Sequence, residues 1–399
     1  MTAPTRWPAV AAAVTTGVVI AAYVGKLPPA LPALKAEFGL SLVAAGWVVS
    51  VFNTIAAATA IFFGFAADRL GAFRACVAGL ALLMLGGIVG AASPAPAWLF
   101  ASRVVEGMGF VTVAVAAASL IFAASAPSDR KLTLGIWSAY MPFGFALTVL
   151  VAPPVLAATG WRGLWVGIAG LTAVCGLWLA SQRAHFALPP GSTRSVANIT
   201  AALRQPGPWW VSAAMGCYTL VWTSVMVWLP TYLIQERGAT TVGASLATVV
   251  AVAVNVPGNL TGAWLMNRMV ARGTVISAGA VGMGLFAVAS LVPALPDWAR
   301  FGACLAMSYV GGIIPAAVMT SPQAYARSGA QVASLQGLMM QWSNFGQFVG
   351  PPGVAAVVSA TGGWGAAAWL LGAAALGAAA CGRVVARCER RAPAPTGLS

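Results

Sequence analysis

Residues 75–124 read ACVAGLALLMLGGIVGAASPAPAWLFASRVVEGMGFVTVAVAAASLIFAA, and the only charged residues among them are Arg103 and Glu106. Two apolar runs, 75–93 and 97–124, are separated by a short proline-containing break. A helix crosses the hydrocarbon core of a bilayer with about 20 mostly apolar residues. The stretch therefore predicts two membrane-spanning helices joined by a tight turn.

The whole chain has the composition of that stretch. Its 399 residues include 21 Lys+Arg and 7 Asp+Glu, so 7% are charged, while 60% are hydrophobic and the mean hydropathy is +0.87. A soluble domain carries about 25% charged and 45–50% apolar residues. The composition excludes a soluble globular enzyme and indicates an all-α polytopic membrane protein.

Cutting the sequence at charges, prolines and polar clusters gives twelve predicted spans. They fall into two sets of six, with a basic stretch between them, so we predict an N-terminal six-helix bundle (1–181), a linker (182–208), a C-terminal six-helix bundle (209–382) and a basic tail (383–399). The spans are 9–33, 42–67, 75–93, 97–124, 132–158 and 163–181, then 209–233, 241–266, 274–293, 299–321, 332–358 and 364–382.

The basic residues predict the orientation. With the N-terminus in the cytoplasm, fifteen Lys and Arg residues lie on the cytoplasmic side and at most five on the other. This bias follows the positive-inside rule and places both termini inside. The net charge of +14 therefore reflects topology, and because the basic residues come singly or in pairs, no nucleic-acid partner is predicted.

Cysteine and histidine usage indicates no metal site or cofactor. The six cysteines form no C-x-x-C pair, and His185 is the one histidine. The sequence also has no phosphate-binding loop and no nucleophile–base pair, so an enzyme is not predicted.

The two halves share an order of motifs. Gly64-Phe-Ala-Ala-Asp68-Arg69-Leu-Gly71-Ala-Phe-Arg74 follows span 2, and Gly262-Ala-Trp-Leu-Met-Asn267-Arg268 follows span 8. Spans 5 and 11 each carry Trp-Ser and then Pro-Pro, at 153–154 and 351–352, where we expect the helices to break or bend. Two six-helix repeats are typical of transporters with a binding site near the midplane.

On these motifs the chain resembles the major facilitator superfamily along essentially its whole length. Gly64-x-x-x-Asp68-Arg69-x-Gly71-x-x-Arg74 resembles the family's loop motif, and Arg103-x-x-x-Gly107-x-Gly109 resembles its second motif. Lys26-Leu-Pro-Pro-Ala-Leu-Pro, Trp228-Leu-Pro-x-Tyr232 and Gly160-Trp161-Arg162 resemble the cyanate/nitroimidazole-transporter branch. Ala152-Pro153-Pro154-Val155-Leu156 departs from the Gly-Pro-x-x-Gly-Gly pattern of drug antiporters.

The resemblance implies the major facilitator fold, with twelve transmembrane helices in two six-helix pseudo-repeats and both termini inside. It also implies that the first loop forms a conformational latch. The latch residues would be Gly64, Asp68, Arg69, Gly71 and Arg74. The alternative is that these charges are solvated and only set topology.

Glu106 is the leading candidate for proton coupling, because it is the one carboxylate well inside a predicted span. Arg103 lies three residues earlier, on the same helical face. Burial and a neighbouring cation act in opposite directions on the protonation of a carboxylate, which suits a switchable proton site. The alternative is a permanent ion pair with a structural role.

Lys26 lies 17 residues into span 1, so we expect it at a depth similar to that of Arg103 and Glu106. Two cations and one acid leave a net positive charge, which favours an anionic solute. The alternative is that Lys26 extends its ammonium to the membrane interface.

Polar and aromatic residues within spans predict the rest of a substrate site, since buried amides must face partners or water. Aromatic residues have a second interpretation, as members of an interfacial belt. The candidate substrate-binding residues are Lys26, Tyr23, Asn53, Tyr140, Trp222, Asn255, Asn344 and Gln347.

The leading interpretation is a secondary active transporter that moves a small organic solute across a bacterial inner membrane by alternating access, coupled to protons. The partners are then the solute, protons and the lipid bilayer, and we expect a monomer. A proton-antiporting drug or metabolite exporter is the second interpretation. A membrane-embedded receptor or enzyme is the third.

Overall fold

A computed structural model describes residues 4–58, 71–186, 204–325 and 329–391, and these ranges are helical apart from turns and short connections. The helices are α1 Trp7–Phe38, α2 Leu42–Ala58, α3 Ala72–Ala91, α4 Pro96–Ala124, α5 Arg130–Ser138, α6 Tyr140–Ser181, α7 Pro206–Arg237, α8 Thr241–Asn267, α9 Arg272–Leu291, α10 Asp297–Met319, α11 Ser321–Tyr325, α12 Gly329–Thr361 and α13 Ala367–Arg391.

Within these ranges, nine helices are long and apolar enough to cross a membrane. Large apolar side chains that a soluble protein would bury are exposed on several of them, including Leu177, Leu285 and Trp369. Such surface needs a lipid environment. The chain is therefore a multi-pass membrane protein, while the count of twelve spans and the orientation stay predictions.

Predicted spans 5 and 6 differ most from the observed helices. A short helix, α5, ends at Ser138, and α6 then runs on to Ser181, with non-helical dihedral angles only at Gly160 (φ 66°). Glycine reaches positive φ without the clash of a Cβ, so it makes the turn between two helices alone. The helix does not break at Pro153 and Pro154, because both lie inside it, while the bend expected there stays a prediction.

Two other helices extend beyond the predicted spans. α1 continues to Phe38, and the last helix continues to Arg391, through the first residues of the predicted basic tail. Exposed Arg383, Arg387 and Arg390 recur at spacings of four and three residues, so they share one helical face.

The helices pack as two compact units. The first comprises the described residues of Met1–Thr193 and Met226–Ala253, and the second those of Arg194–Val225 and Val254–Ser399. Glycines set the close crossings inside each unit. In the first, a Cβ on Gly79 would meet the Gly109 carbonyl oxygen at 2.9 Å. In the second, a Cβ on Gly284 would lie 2.6 Å from that of Ala375.

Candidate functional site

Three charged side chains meet in the interior of the first unit. Lys26 Nζ lies 2.7 Å from Glu106 Oε1, and Arg103 pairs with Glu106 Oε2. All three side chains are at most 1% exposed. The structure thus brings together the residues for which the sequence predicted a similar depth. The alternative in which Lys26 reaches toward the membrane interface is wrong, since its ammonium is buried and paired.

Arg103 also ties α4 to the two helices beside it. Its Nη1 donates to the Tyr23 carbonyl oxygen on α1 at 3.0 Å, and its Nε donates to the Val48 carbonyl oxygen on α2 at 3.3 Å. The guanidinium carbon lies 4.4 Å from the centroid of the Phe52 ring. These contacts satisfy a cation that would otherwise be costly to bury.

Two aromatic rings cover the ammonium of Lys26. Nζ lies 4.1 Å from the Trp165 ring centroid and 4.4 Å from that of Tyr23. Cation–π contacts of this length are attractive and strengthen when water is excluded. The Tyr23 hydroxyl is in turn 2.9 Å from Thr172 Oγ1 on α6. The cluster therefore draws residues from four helices.

Local sequence explains why Lys26 lies at this point. The helical segments Trp7–Gly25 and Leu27–Phe38 meet at Lys26. Pro28 and Pro29 follow after Leu27, and neither proline nitrogen can donate to the carbonyl four residues earlier. This loss of two helical hydrogen bonds accounts for the junction in α1.

The glycines of the second predicted motif, Arg103-x-x-x-Gly107-x-Gly109, allow neighbouring helices to pack closely against α4. A Cβ on Gly107 would overlap the Phe52 carbonyl group of α2, which forms a 3-10 turn at Val51–Asn53. A Cβ on Gly109 would lie 2.6 Å from the Gly79 carbonyl oxygen of α3. The two glycines let α2 and α3 approach α4, so that Arg103 reaches both α1 and α2.

Two glycines of α3, Gly86 and Gly90, also pack against the cluster. On α3, a Cβ on Gly86 would lie 2.7 Å from Glu106 Cγ, and one on Gly90 would lie 2.8 Å from the Trp165 indole. The helix backbone therefore packs directly against the carboxylate side chain and the indole. Such contact excludes water from the back of the cluster.

The cluster holds two cations and one carboxylate, so it carries a net charge of +1 when Glu106 is ionised. Buried charges are tolerated when they are paired and hydrogen-bonded. Glu106 is the one group of the cluster that can accept a proton. Once it is protonated, Lys26 and Arg103 have no carboxylate partner and would need another anion.

Three members of the cluster were not predicted from the sequence: Trp165, Phe52 and Thr172. Each lies in an apolar run and resembles an ordinary core residue there. Trp165 follows Trp161 by four residues, which places both on one face of α6, but this spacing does not indicate a lysine partner.

Of the other predicted residues of the first unit, Asn53 lies beside the cluster and Tyr140 packs against α1. Asn53 is 7% exposed and follows Phe52, whose ring faces Arg103. Tyr140 stacks on Trp137 with ring centroids 4.3 Å apart. A Cβ on Gly17 of α1 would lie 2.9 Å from Tyr140, so that pair packs against α1.

In the second unit, Asn255 is the hub of a neutral polar cluster. Its Nδ2 donates to the Ser308 carbonyl oxygen at 2.8 Å and to the Tyr218 hydroxyl at 3.3 Å. Its Oδ1 accepts from Asn259 Nδ2 at 2.8 Å. Trp222 joins the cluster by donating to Ser308 Oγ at 3.1 Å. The Asn255 amide uses its hydrogen-bonding capacity on protein partners, so its direct effect is to position them.

Asn344 and Gln347 bond within their own helix, α12. Asn344 Nδ2 donates to the Met340 carbonyl oxygen at 2.7 Å, and Gln347 Nε2 donates to Ser343 Oγ at 3.4 Å. The Ser343 carbonyl oxygen accepts from Thr219 of α7 at 2.9 Å. This polar face of α12 therefore adjoins α7 inside the second unit.

Part of the predicted latch can be placed. Gly71 has φ +80° and immediately precedes α3, where a residue with a Cβ would be strained. Arg74 is exposed on the first turn of α3. Gly64, Asp68 and Arg69 lie outside the described residues.

The sequence profile of the Major Facilitator Superfamily matches residues 11–351. Among curated relatives, the chain is 27% identical to the 2-nitroimidazole transporter of Escherichia coli (strain K12), over 75% of each chain. It is 25% identical to a protein of Cupriavidus necator named "Probable sulfoacetate transporter SauU", over 64% of this chain and 66% of that one.

A multidrug transporter of Aspergillus fumigatus, mfsC, is 27% identical over 34% of this chain. The match spans 26% of that protein's length. Among solved structures, a bacterial homologue of the human lysosomal transporter Spinster superposes with a TM-score of 0.83 at 16% identity, over 99% of this chain and all of that one. That likeness is one of fold.

Proposed function

The chain belongs to the Major Facilitator Superfamily, and we propose that it is a secondary active transporter that moves a small organic solute across a bacterial inner membrane by alternating access. Within this proposal, the protein acts as a monomer with twelve spans and both termini in the cytoplasm. Its two six-helix bundles, 1–181 and 209–382, are joined by the 182–208 linker. The superfamily consists of transporters, so no catalytic role is assigned.

One observation supports proton coupling above the others, and it is the buried carboxylate of Glu106 between Lys26 and Arg103. Ionisable groups inside a membrane protein are costly, and they mark ion pathways and proton relays. Glu106 is the residue we assign as proton carrier, with Arg103 and Lys26 as its counter-charges.

The charge balance favours an anionic solute that moves with the proton. Protonation of Glu106 raises the net charge of the cluster from +1 to +2 in a site that excludes water. A buried uncompensated charge is strongly unfavourable. An anionic group near Lys26 and Arg103 would lower that cost, so proton and anion would favour each other's binding, and we propose symport.

The neutral polar cluster of the second unit is a separate candidate for substrate binding. The cluster of Tyr218, Trp222, Asn255 and Ser308 is polar, aromatic and uncharged. Ligand sites commonly combine an apolar or aromatic lining with a few placed polar groups. The relatives named for 2-nitroimidazole and sulfoacetate support a small organic solute, and the second of these is an anion.

The test is solute flux in proteoliposomes against a panel of small organic anions and neutral drugs, with and without an imposed pH gradient. We expect uptake of at least one organic anion, driven by a gradient that is acidic on the solute side. Flux that ignores the gradient would remove proton coupling, and a preference for cations would remove the role of Lys26.

A second function, proton-antiporting export of drugs or metabolites, is favoured by the similarity to the multidrug transporter over one third of the chain. Against it stands Ala152-Pro153-Pro154-Val155-Leu156, which departs from the antiporter pattern. The same flux panel separates the two, since export requires protons to move opposite to the solute.

The latch is part of the proposal. We expect Asp68→Asn to lower the rate of transport more than it lowers the amount of folded protein, because it removes a charge assigned to conformational change and not to packing. Transport per molecule and size-exclusion profiles measure the two effects. Asn267→Ala, at the corresponding place in the second half, is the matched control and should change less. Normal transport by Asp68→Asn would contradict the latch.

A further inference from the structure

The first unit carries a bridge where α1 ends, separate from the buried cluster. Glu37 Oε1 lies 2.6 Å from Arg162 Nη1, and Trp161 Nε1 donates to Glu37 Oε2 at 2.6 Å. Arg162 also donates to the Ser93 carbonyl oxygen at 3.2 Å. The bridge thus joins the end of α1, the turn after α3 and the turn at Gly160. Both charged side chains are about half exposed.

A pair of tryptophans connects this bridge to the buried cluster. Trp161 and Trp165 meet edge to face, with centroids 5.4 Å apart and planes at 85°. This is a favoured geometry for aromatic pairs. Trp165 then lies over Lys26 Nζ at 4.1 Å. A continuous series of contacts therefore runs from Glu37 through Trp161 and Trp165 to Lys26.

Trp165 is closely packed in this position. Its side chain is fully buried, with the backbone of Gly90 against its indole on one side. The Trp165 Nε1–H has no hydrogen-bond acceptor among the described residues. A buried donor without a partner is unfavourable, so the ring is kept here by its other contacts, including the one with the ammonium.

We propose that Trp165 is a positioning residue, which holds the ammonium of Lys26 on Glu106 and seals the cluster from water, and that Trp161 and the Glu37–Arg162 bridge hold Trp165 in place. This inference rests on the proposed function for its biological meaning. The protection of the Lys26 ammonium by Trp165 can be measured without any transport assay.

Trp165 prevents the Lys26 ammonium from extending into water. A lysine side chain is long and flexible, and it extends toward water when it can. Without the Trp165 ring, the ammonium would lose one of its two aromatic contacts and the cover above it. Lys26 would then exchange between Glu106 and water, and the charge balance around the proton site would vary.

The experiment uses a water-soluble, amine-reactive acetylating reagent and peptide mass spectrometry on the full-length protein. The lysines of the chain are Lys26, Lys35 and Lys131, and partly exposed Lys35 serves as the internal reference. We expect Lys26 to be strongly protected in the wild type. Trp165→Leu should raise its acetylation relative to Lys35 on the order of tenfold, the scale set by losing a desolvated cation–π contact.

Two variants make the test specific. Trp165→Phe keeps a ring over the ammonium and should retain most of the protection. Trp178→Leu removes an exposed tryptophan from the same helix and should change nothing. Protection of Lys26 that survives Trp165→Leu, or that is lost equally in Trp165→Phe, overturns the proposal.

Should Trp165→Leu fail to fold, Trp161→Leu is measured in its place. A several-fold rise in Lys26 acetylation supports the proposal, and unchanged protection overturns it. The labelling needs neither a solute nor a proton gradient. Failure of proton coupling in the flux assay therefore leaves this result intact, and the converse also holds.

Discussion

Glu106→Gln is expected to reduce gradient-driven uptake to the background of empty liposomes. Glutamine has nearly the shape of glutamate but cannot take up or release a proton. The same change leaves Lys26 and Arg103 facing a neutral amide in the interior of the first unit. Breaking a buried ion pair in this way costs about 3–5 kcal/mol, so we also expect a lower unfolding temperature.

The double variant Lys26→Met/Glu106→Gln separates these two effects. The wild-type cluster carries +1, the single variant +2 and the double variant +1 again. We therefore expect the double variant to recover expression and unfolding temperature while gradient-driven uptake stays absent. Gradient-driven uptake by the double variant would show that the proton is carried elsewhere.

Among the described glycines of the first unit, Gly107 is the one at which an added methyl group is expected to destabilise the protein most. The new Cβ would overlap the backbone of Phe52, with its carbonyl carbon at 2.8 Å. A backbone carbonyl cannot turn aside as a side chain does, so α2 must move away from α4. Overpacking of this kind costs about 1–3 kcal/mol, sometimes more.

The matched control for Gly107 is Gly170→Ala on α6. A Cβ on Gly170 has nothing within 4 Å, and alanine is the better helix former by about 1 kcal/mol. We expect Gly170→Ala to keep or raise the unfolding temperature and Gly107→Ala to lower it, both measured by the thermal unfolding of detergent-solubilised protein. Equal temperatures for the two variants would contradict the close crossing of α2 and α4.

The charged part of the candidate site could be predicted from the sequence, because charges within apolar spans must pair. Arg103 and Glu106 share a helical face by spacing, and the depth of Lys26 follows from its place in span 1. The aromatic part could not. Nothing in the sequence distinguishes Trp165, which covers Lys26, from the exposed Trp178 thirteen residues later on the same helix.

The polar residues of the second unit show a different limit of sequence reasoning. Asn255 and Asn259 are four residues apart, a spacing that places them on one helical face, and they are hydrogen-bonded to each other. The spacing does not indicate that the Asn255 amide donates hydrogen bonds to the Tyr218 hydroxyl and the Ser308 carbonyl oxygen. Its role in binding stays a prediction, as do those of Tyr140, Asn344 and Gln347.

The helix ends followed local chemistry more than hydropathy. A single Gly160 replaced a predicted four-residue loop, since a residue at φ 66° turns the chain by itself. The proline pair at 153–154 left the helix continuous. Hydropathy marks what lies in the membrane, but the dihedral angle of one residue decides where a helix stops.

The units also differ in charge at comparable helix crossings. In the first, Gly107 of α4 meets the Phe52 backbone, with Arg103 one turn away. In the second, a Cβ on Gly312 of α10 would lie 2.5 Å from the Asn255 carbonyl oxygen, and Ser308 occupies the preceding turn. We therefore propose that proton coupling belongs to the first unit alone.

The most direct test of that assignment is the proton movement that accompanies solute entry, recorded with a pH-sensitive dye trapped in proteoliposomes. We predict that the wild type acidifies the lumen as solute enters, and that Glu106→Gln, which keeps both cations assigned to the anion, exchanges labelled for unlabelled solute without moving protons. Solute entry without protons in the wild type, or an unchanged ratio of protons to solute in Glu106→Gln, would contradict this assignment.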